Sequence, residues 1–236
     1  MMLRWNAVLL LLFFNVAGLR AGDPLFVPHG ADAMGMAFAV TATPGHWNCF
    51  QNQALLTEVP SSGFSFALEN RFMMPALSSK AVSAVFALKP APLGLVATHY
   101  GNADYYRIFT GLGSAVKITN AVALGVQVDY ISEHGIGEYR DVSHVTFEAG
   151  VTCLISPALT AGVHLFNPLA PLNTLPSSID AGLSWKQSEG LFLTLTGSKV
   201  SNEPLSVQCG ISWDVMKRLT LRTGYMSSPS AFAFGI

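Results

Sequence analysis

The sequence predicts an all-β fold, an antiparallel barrel that crosses a membrane with its strands. Three observations carry this. From about residue 63 to the end, apolar side chains fall on every second position in segment after segment. In residues 121–130, for example, Val122, Leu124, Val126, Val128 and Tyr130 share one face, and Ala123, Gly125, Gln127 and Asp129 share the other. Next, half of the 236 residues are hydrophobic and only 11% are charged, against roughly 25% in an average soluble domain. Yet after residue 21 no run of about 18 uninterrupted apolar residues occurs, as a membrane helix would need. Finally, a secretory leader precedes the ladder, and strands of this kind behind such a leader read as an outer-membrane barrel.

The leader is residues 1–21. Arg4 supplies its positive end, Val8–Phe14 its apolar core, and Leu19-Arg20-Ala21 a cleavage site ending on a small residue. An uncleaved anchor is the other reading, and the short apolar core speaks against it. Residues 22–62 form a distinct segment, rich in Ala, Gly and Met up to Ala37 and broken by Pro44-Gly45. Trp47, Phe50, Ala54 and Leu55 then follow at mostly helical spacing. Such small residues permit the close backbone approach of a plug inside a barrel mouth; an exposed periplasmic extension has the same composition.

Residues 63–236 are the barrel. Strands are expected at 63–70, 79–88, 93–100, 105–118, 121–132, 143–155, 158–167, 178–186, 191–199, 205–215 and 218–226, with another from Ser230. Several have the roughly 9–11 residues a tilted strand needs to cross a bilayer. The connections alternate in length. Lys89–Pro92, Thr119-Asn120, Ser156-Pro157, Gln187–Gly190 and Met216-Lys217 are tight, while Arg71–Ser78, Glu133–Val142 and Pro168–Ser177 are longer. Outer-membrane barrels keep their tight turns on the periplasmic side, which sets the orientation. Tyr106, Tyr130 and Tyr225 then lie at outer strand ends on the lipid-facing parity, and Trp185 and Trp213 at inner ends. That is the expected pair of aromatic girdles, although strands are enriched in aromatics anyway.

The polar residues of the opposite parity point inward: Arg107, Lys117, Gln127, Asp129, His144, Glu148, Lys186, Gln208, Asp214 and Arg222. Inside a barrel in lipid they must pair with one another, the plug or water. Arg107, Gln127, Asp129, His144, Glu148, Asp214 and Arg222 are the candidate lumen-lining set. They line a pathway or binding cavity, or they fill a closed interior by bridging among themselves. Catalytic patterns are missing from the sequence: the six histidines are scattered without HExxH spacing, and no GxSxG elbow occurs. The sequence therefore gives no ground for an enzyme and implies no cofactor or metal. The three cysteines, Cys49, Cys153 and Cys209, have no framework spacing, and the last two share the parity of apolar neighbours, as small hydrophobes do. A formal charge of −1 offers no electrostatic case for nucleic acid.

The stretch Gly30-Ala31-Asp32-Ala33-Met34-Gly35-Met36-Ala37, followed by Phe50-Gln51-Asn52-Gln53-Ala54-Leu55, resembles the N-terminal signature of FadL-type outer-membrane proteins. There a small-residue stretch precedes an Asn-Pro-Ala motif. It is more similar still to the PorV/PorQ branch of Bacteroidetes, where Asn-Gln-Ala can replace that motif, matched here to Asn52, Gln53 and Ala54. Gly63–Phe72, Thr146–Gly150 and His164–Pro168 share the likeness. The resemblance implies a 14-stranded barrel with an N-terminal plug, in the outer membrane of a Gram-negative bacterium. It implies transport of a hydrophobic small molecule such as a fatty acid, or a non-transporting accessory role with secretion-system proteins in type IX secretion or surface attachment. Gln53 in place of proline departs from the pattern. So does the end of the sequence at Ile236, inside a strand and before a last hairpin; a fragment with about twelve visible strands is the expectation, and a barrel closed with fewer strands than its relatives is the other reading.

Overall fold

The computed structural model describes residues 30–70, 73–135, 141–169 and 175–236; the expected leader lies outside them. Twelve antiparallel strands follow one another in a single sheet, each hydrogen-bonded to its neighbours in sequence. They are β1 (Gly63–Asn70), β2 (Ser78–Phe86), β3 (Leu93–Gly101), β4 (Tyr105–Lys117), β5 (Val122–Gly135) and β6 (Val142–Ser156). The second half continues with β7 (Leu159–Phe166), β8 (Ser178–Ser188), β9 (Leu191–Val200), β10 (Ser206–Met216), β11 (Leu219–Ser227) and β12 (Ser230–Gly235). This is the up-and-down wall of a barrel, and all twelve expected strands are present. The expected strand at 79–88 ends two residues earlier, at Phe86, where the Ala87 N–H turns to Ser62 Oγ at 2.9 Å.

Parity sorts the wall into two faces. Along β5 the even positions Val126, Val128 and Tyr130 are exposed, while Gln127, Asp129 and Ile131 are buried. Phe64, Phe66 and Leu68 of β1 and Phe232 and Phe234 of β12 extend the same apolar outer face. So do Trp185 and Trp213, each about half exposed. An outer surface this apolar is stable only against lipid. Cys153 and Cys209 belong to that outer face, and Cys49 is buried inside.

What fills the inside is the chain's own N-terminal segment. A short helix, α1 (Ala31–Gly35), packs on β11 and β12. Two 3₁₀ turns, Asn48–Phe50 and Gln53–Glu58, cross to β3, β4, β5 and β6. Ala33, Cys49, Ala54, Leu55 and Leu56 are almost wholly enclosed. The helical spacing of Trp47, Phe50, Ala54 and Leu55 thus corresponds to 3₁₀ turns, because the wall constrains the segment too closely for a continuous α-helix. Cys49, Leu56, Val85, Val96, Phe109 and Ile131 make the largest apolar cluster, so the core lies between plug and wall. At the tight-turn end, Lys117 of β4 holds Glu58 at 2.9 Å where the segment leaves for β1.

Inward-facing glycines let the two backbones meet. Gly125 pairs with Gly150 in register, Gly162 with Gly182, and Gly210 with Gly224. A methyl group on Gly125 would overlap the backbone of Gln53 and Ala54, and one on Gly224 would lie 2.6 Å from the Ala37 nitrogen. Neither obstacle is a flexible side chain, so each strand must lack a Cβ where the plug crosses it. Gly197, with nothing nearer than 4.0 Å, is the natural control. Gly125→Val should lower stability by about 1–3 kcal/mol, the cost of overpacking, and should expose the plug to protease. Gly197→Ala should do neither, as heat-modifiability on gels and limited proteolysis would show.

Candidate functional site

Strand register assembles a polar row on the inner face of β5 to β8. Gln127 and Glu148 are direct cross-strand partners, as are Gly150 and His164, and then His164 and Asp180. Inward parity and this alignment bring Gln127, Asp129, Glu148, His164 and Asp180 to neighbouring heights. Gln127 donates from Nε2 to Asp129 Oδ1 at 2.8 Å. His164 Nε2 meets Glu148 Oε2 at 2.8 Å, and its Nδ1 faces Asp180 Oδ2 at 3.4 Å. One imidazole therefore stands between two carboxylates, with a third, Asp129, beside Glu148. Gly111 and Gly113 on β4 make room: a Cβ at Gly111 would lie 2.6 Å from Gln127 Nε2.

The plug is tied to this row by its Asn52-Gln53-Ala54 stretch. Gln53 Nε2 donates to Glu148 Oε2, the same oxygen that meets His164, and to the Cys49 carbonyl at 3.3 Å. Asn52 is extended (φ −169°), and its Oδ1 accepts from the Ala54 N–H at 3.2 Å, capping the turn that follows. Its Nδ2 donates to the Thr41 carbonyl at 2.9 Å within the plug and to the Val151 carbonyl of β6 at 3.2 Å. Asn52 thus joins two passes of the plug to the wall, and Gln53 joins the plug to the charged row. Where proline would stand at position 53, a side-chain amide supplies the bond to Glu148.

The other sequence candidates lie elsewhere. Arg107 pairs with Glu133 at 3.0 Å at the long-loop end, and Tyr105 donates to the same carboxylate at 2.6 Å. His144 is on β6 opposite Ile131, at that end too. Asp214 sits at the tight-turn end, accepting from Thr220 Oγ1 at 2.6 Å. Arg222 lies against Gly35 of α1. Lys186 reaches the turn residue Glu189 at 2.6 Å, away from the row. His164 and Asp180 are the additions the sequence reading lacked. Their signal was parity: His164 shares the inward face of Gly162 and Phe166, and Asp180 that of Gly182 and Ser184.

Beside the row lies a cavity of about 70 Å³ between plug and wall. Phe38, Phe50, Phe109 and Phe166 supply its apolar lining, and Glu148, His164, Asp180, Gln51 and Gln208 its polar one. Ligand pockets for whole drug-sized molecules span roughly 300–1,000 Å³, so in this conformation the space admits a small group, not a chain. Ala37 and Phe38 behind it are both in the left-handed backbone region, at φ 50° and 66°, a conformation that surrounding contacts must hold in place. Among the described residues no three His, Cys, Asp or Glu side chains come together with metal-holding geometry.

Solved structures share this fold. The chain is similar to a Pseudomonas aeruginosa FadL homologue, with a TM-score of 0.60 over 84% of this chain and 79% of that one, at 10% identity. It is similar to the same degree to the Pseudomonas putida toluene transporter TodX, with a TM-score of 0.60, 10% identity, and coverage of 84% and 83%. At that identity the likeness establishes the fold alone, a β-barrel of the kind that spans outer membranes. No family model and no curated protein sequence matches the chain.

Removing Glu148 leaves His164 and Gln53 facing a vacancy. Breaking a buried pair in this way costs about 3–5 kcal/mol, so Glu148→Ala should be strongly destabilised in urea titrations of the folded barrel in detergent. Glu148→Gln keeps an acceptor oxygen for Gln53 and should lose distinctly less.

Proposed function

We propose that the protein is an outer-membrane transporter of small hydrophobic molecules in a Gram-negative bacterium, with a plug that must shift for passage. The observation that carries this is the manner in which the plug is held. It is fixed at a few polar points, Asn52, Gln53 and Glu58, lies against a belt of glycines where the strands offer no side chains to interlock, and packs elsewhere through Cys49, Leu56 and Val59. A purely structural filler would be held by interdigitated side chains all round. Here, glycine contact along part of the wall leaves that part of the holding to a handful of bonds that a ligand can replace. Phe50 and Phe109 (ring centroids 5.7 Å apart) offer an apolar surface beside them. The fold shared with a toluene transporter supports the same reading.

Gln127, Asp129 and Glu148, with His164 and Asp180, form the part of the wall that a passing molecule meets once the plug moves. Arg107 and His144 stand at the long-loop entrance, and Asp214 and Arg222 toward the other end.

A second reading is a PorV/PorQ-like accessory that transports nothing and serves type IX secretion or surface attachment. The filled interior favours it, since the cavity admits no chain-sized ligand at rest. Deletion of the gene should then halt export of secreted cargo, and normal export would remove this reading.

The transport reading is tested by locking the plug. A side chain at Gly94 would run into Cys49 Sγ, so Gly94→Cys, with Cys153→Ala and Cys209→Ala, should form a plug-to-wall disulfide. Cellular uptake of toluene should fall to the level of a deletion strain when the bond is oxidised and return on reduction. Undiminished uptake with the bond formed would contradict a moving plug.

A further inference from the structure

We infer that the cavity beside the polar row selects an organic ammonium group, so that the preferred ligands are amines with an apolar body rather than fatty-acid-like anions. The inference deepens the transport reading by naming a substrate class, and rests on it only for the purpose of the site.

Its lining determines the sign of the charge it can accept. Glu148 and Asp180 both face the cavity, and a single imidazole, His164, is held between them. Among the described residues no lysine or arginine lines the space. The inward-facing arginines are engaged elsewhere, Arg107 with Glu133 and Arg222 beside α1. A carboxylate ligand entering here would be buried beside two carboxylates, with the one imidazole already engaged by both, which costs more than it gains. An ammonium group meets acceptors.

Of the two lining amides, Gln51 leaves a donor unpaired among the described residues, its Nε2, and Gln208 leaves an acceptor, its Oε1; beside two carboxylates it is the acceptor that adds to an ammonium site. Gln208 is 5% exposed and its Nε2 donates to Ser206 Oγ at 3.2 Å, while its Oε1 accepts no hydrogen bond among the described residues. A buried acceptor without a donor is a standing cost, of about 1–3 kcal/mol, that an N–H of a ligand removes. The remaining wall is phenylalanine, from Phe38 and Phe50 of the plug and Phe109 and Phe166 of the barrel. Aromatic faces attract cations, most strongly where water is excluded, and aromatic cages recognise alkylammonium ions in this way. The size matches as well, because a space of about 70 Å³ takes a head group and leaves the apolar body outside or in the path opened by the plug.

The test uses the purified full-length barrel in nanodiscs with butylammonium, butyrate and butanol as probes, read by saturation-transfer NMR titration. Butylammonium should bind at least tenfold more tightly than butyrate or butanol. Asp180→Asn and Gln208→Leu, each checked for heat-modifiability, should reduce that preference at least threefold, and Phe109→Leu should do the same through the aromatic wall. Equal or tighter binding of butyrate would overturn the inference, as would an unchanged preference in folded Asp180→Asn and Gln208→Leu proteins. Uptake is measured separately in cells. Toluene uptake without an ammonium preference would leave transport standing and remove this site; ammonium binding without any uptake would keep the site and remove transport.

Discussion

A strand in lipid has no water on its outer face, so the polar groups it carries point into the barrel and take their partners from the wall, the plug or enclosed water. That constraint shapes the rest of this structure. The wall presents Gln127, Asp129, Glu148, His164 and Asp180 to the interior, and such a row is tolerable only if something of matching polarity lies against it. The N-terminal segment is that something. Gln53 reaches Glu148, Asn52 reaches a strand carbonyl, and the wall gives up side chains at Gly125, Gly150 and Gly224 to let the backbone come close enough. The plug is thus a polar counterpart of the row.

The wall was legible in the sequence because one requirement writes itself on every strand. Lipid outside and protein inside impose a period of two, and residues 121–130 or 143–155 can be assigned to faces without knowing what pairs with what. Turn lengths were legible for a similar reason, since tight connections such as Ser156-Pro157 leave no alternative to a hairpin. The plug was less so. Its backbone is shaped by contact with β3 to β6 and with β11 and β12, residues far away in sequence. Helical spacing at Trp47, Phe50 and Ala54 consequently described burial, not an α-helix.

The site was half visible. Gln127, Asp129 and Glu148 stand out as polar residues on an inward face. That they belong together, and that Arg107, Asp214 and Arg222 do not join them, depends on strand register, which a single sequence does not give. His164 and Asp180 illustrate the difficulty, being 16 residues apart in the chain and direct partners across β7 and β8. The glycine belt is equally a property of register, since Gly162 and Gly182 become neighbours only once the hairpin is aligned.

The central claim is that the segment around Asn52-Gln53-Ala54 is docked inside the barrel and held by a few polar bonds to the wall. Hydrogen exchange of the folded protein in nanodiscs tests it most directly. The amides of Ala54, Leu55 and Leu56 should exchange as slowly as those of β5 and β6 in the wild type, and several orders of magnitude faster when both Asn52 and Gln53 are replaced by alanine, with the strands still protected. Fast exchange of those amides in the wild type, or slow exchange that ignores the double substitution, would contradict it.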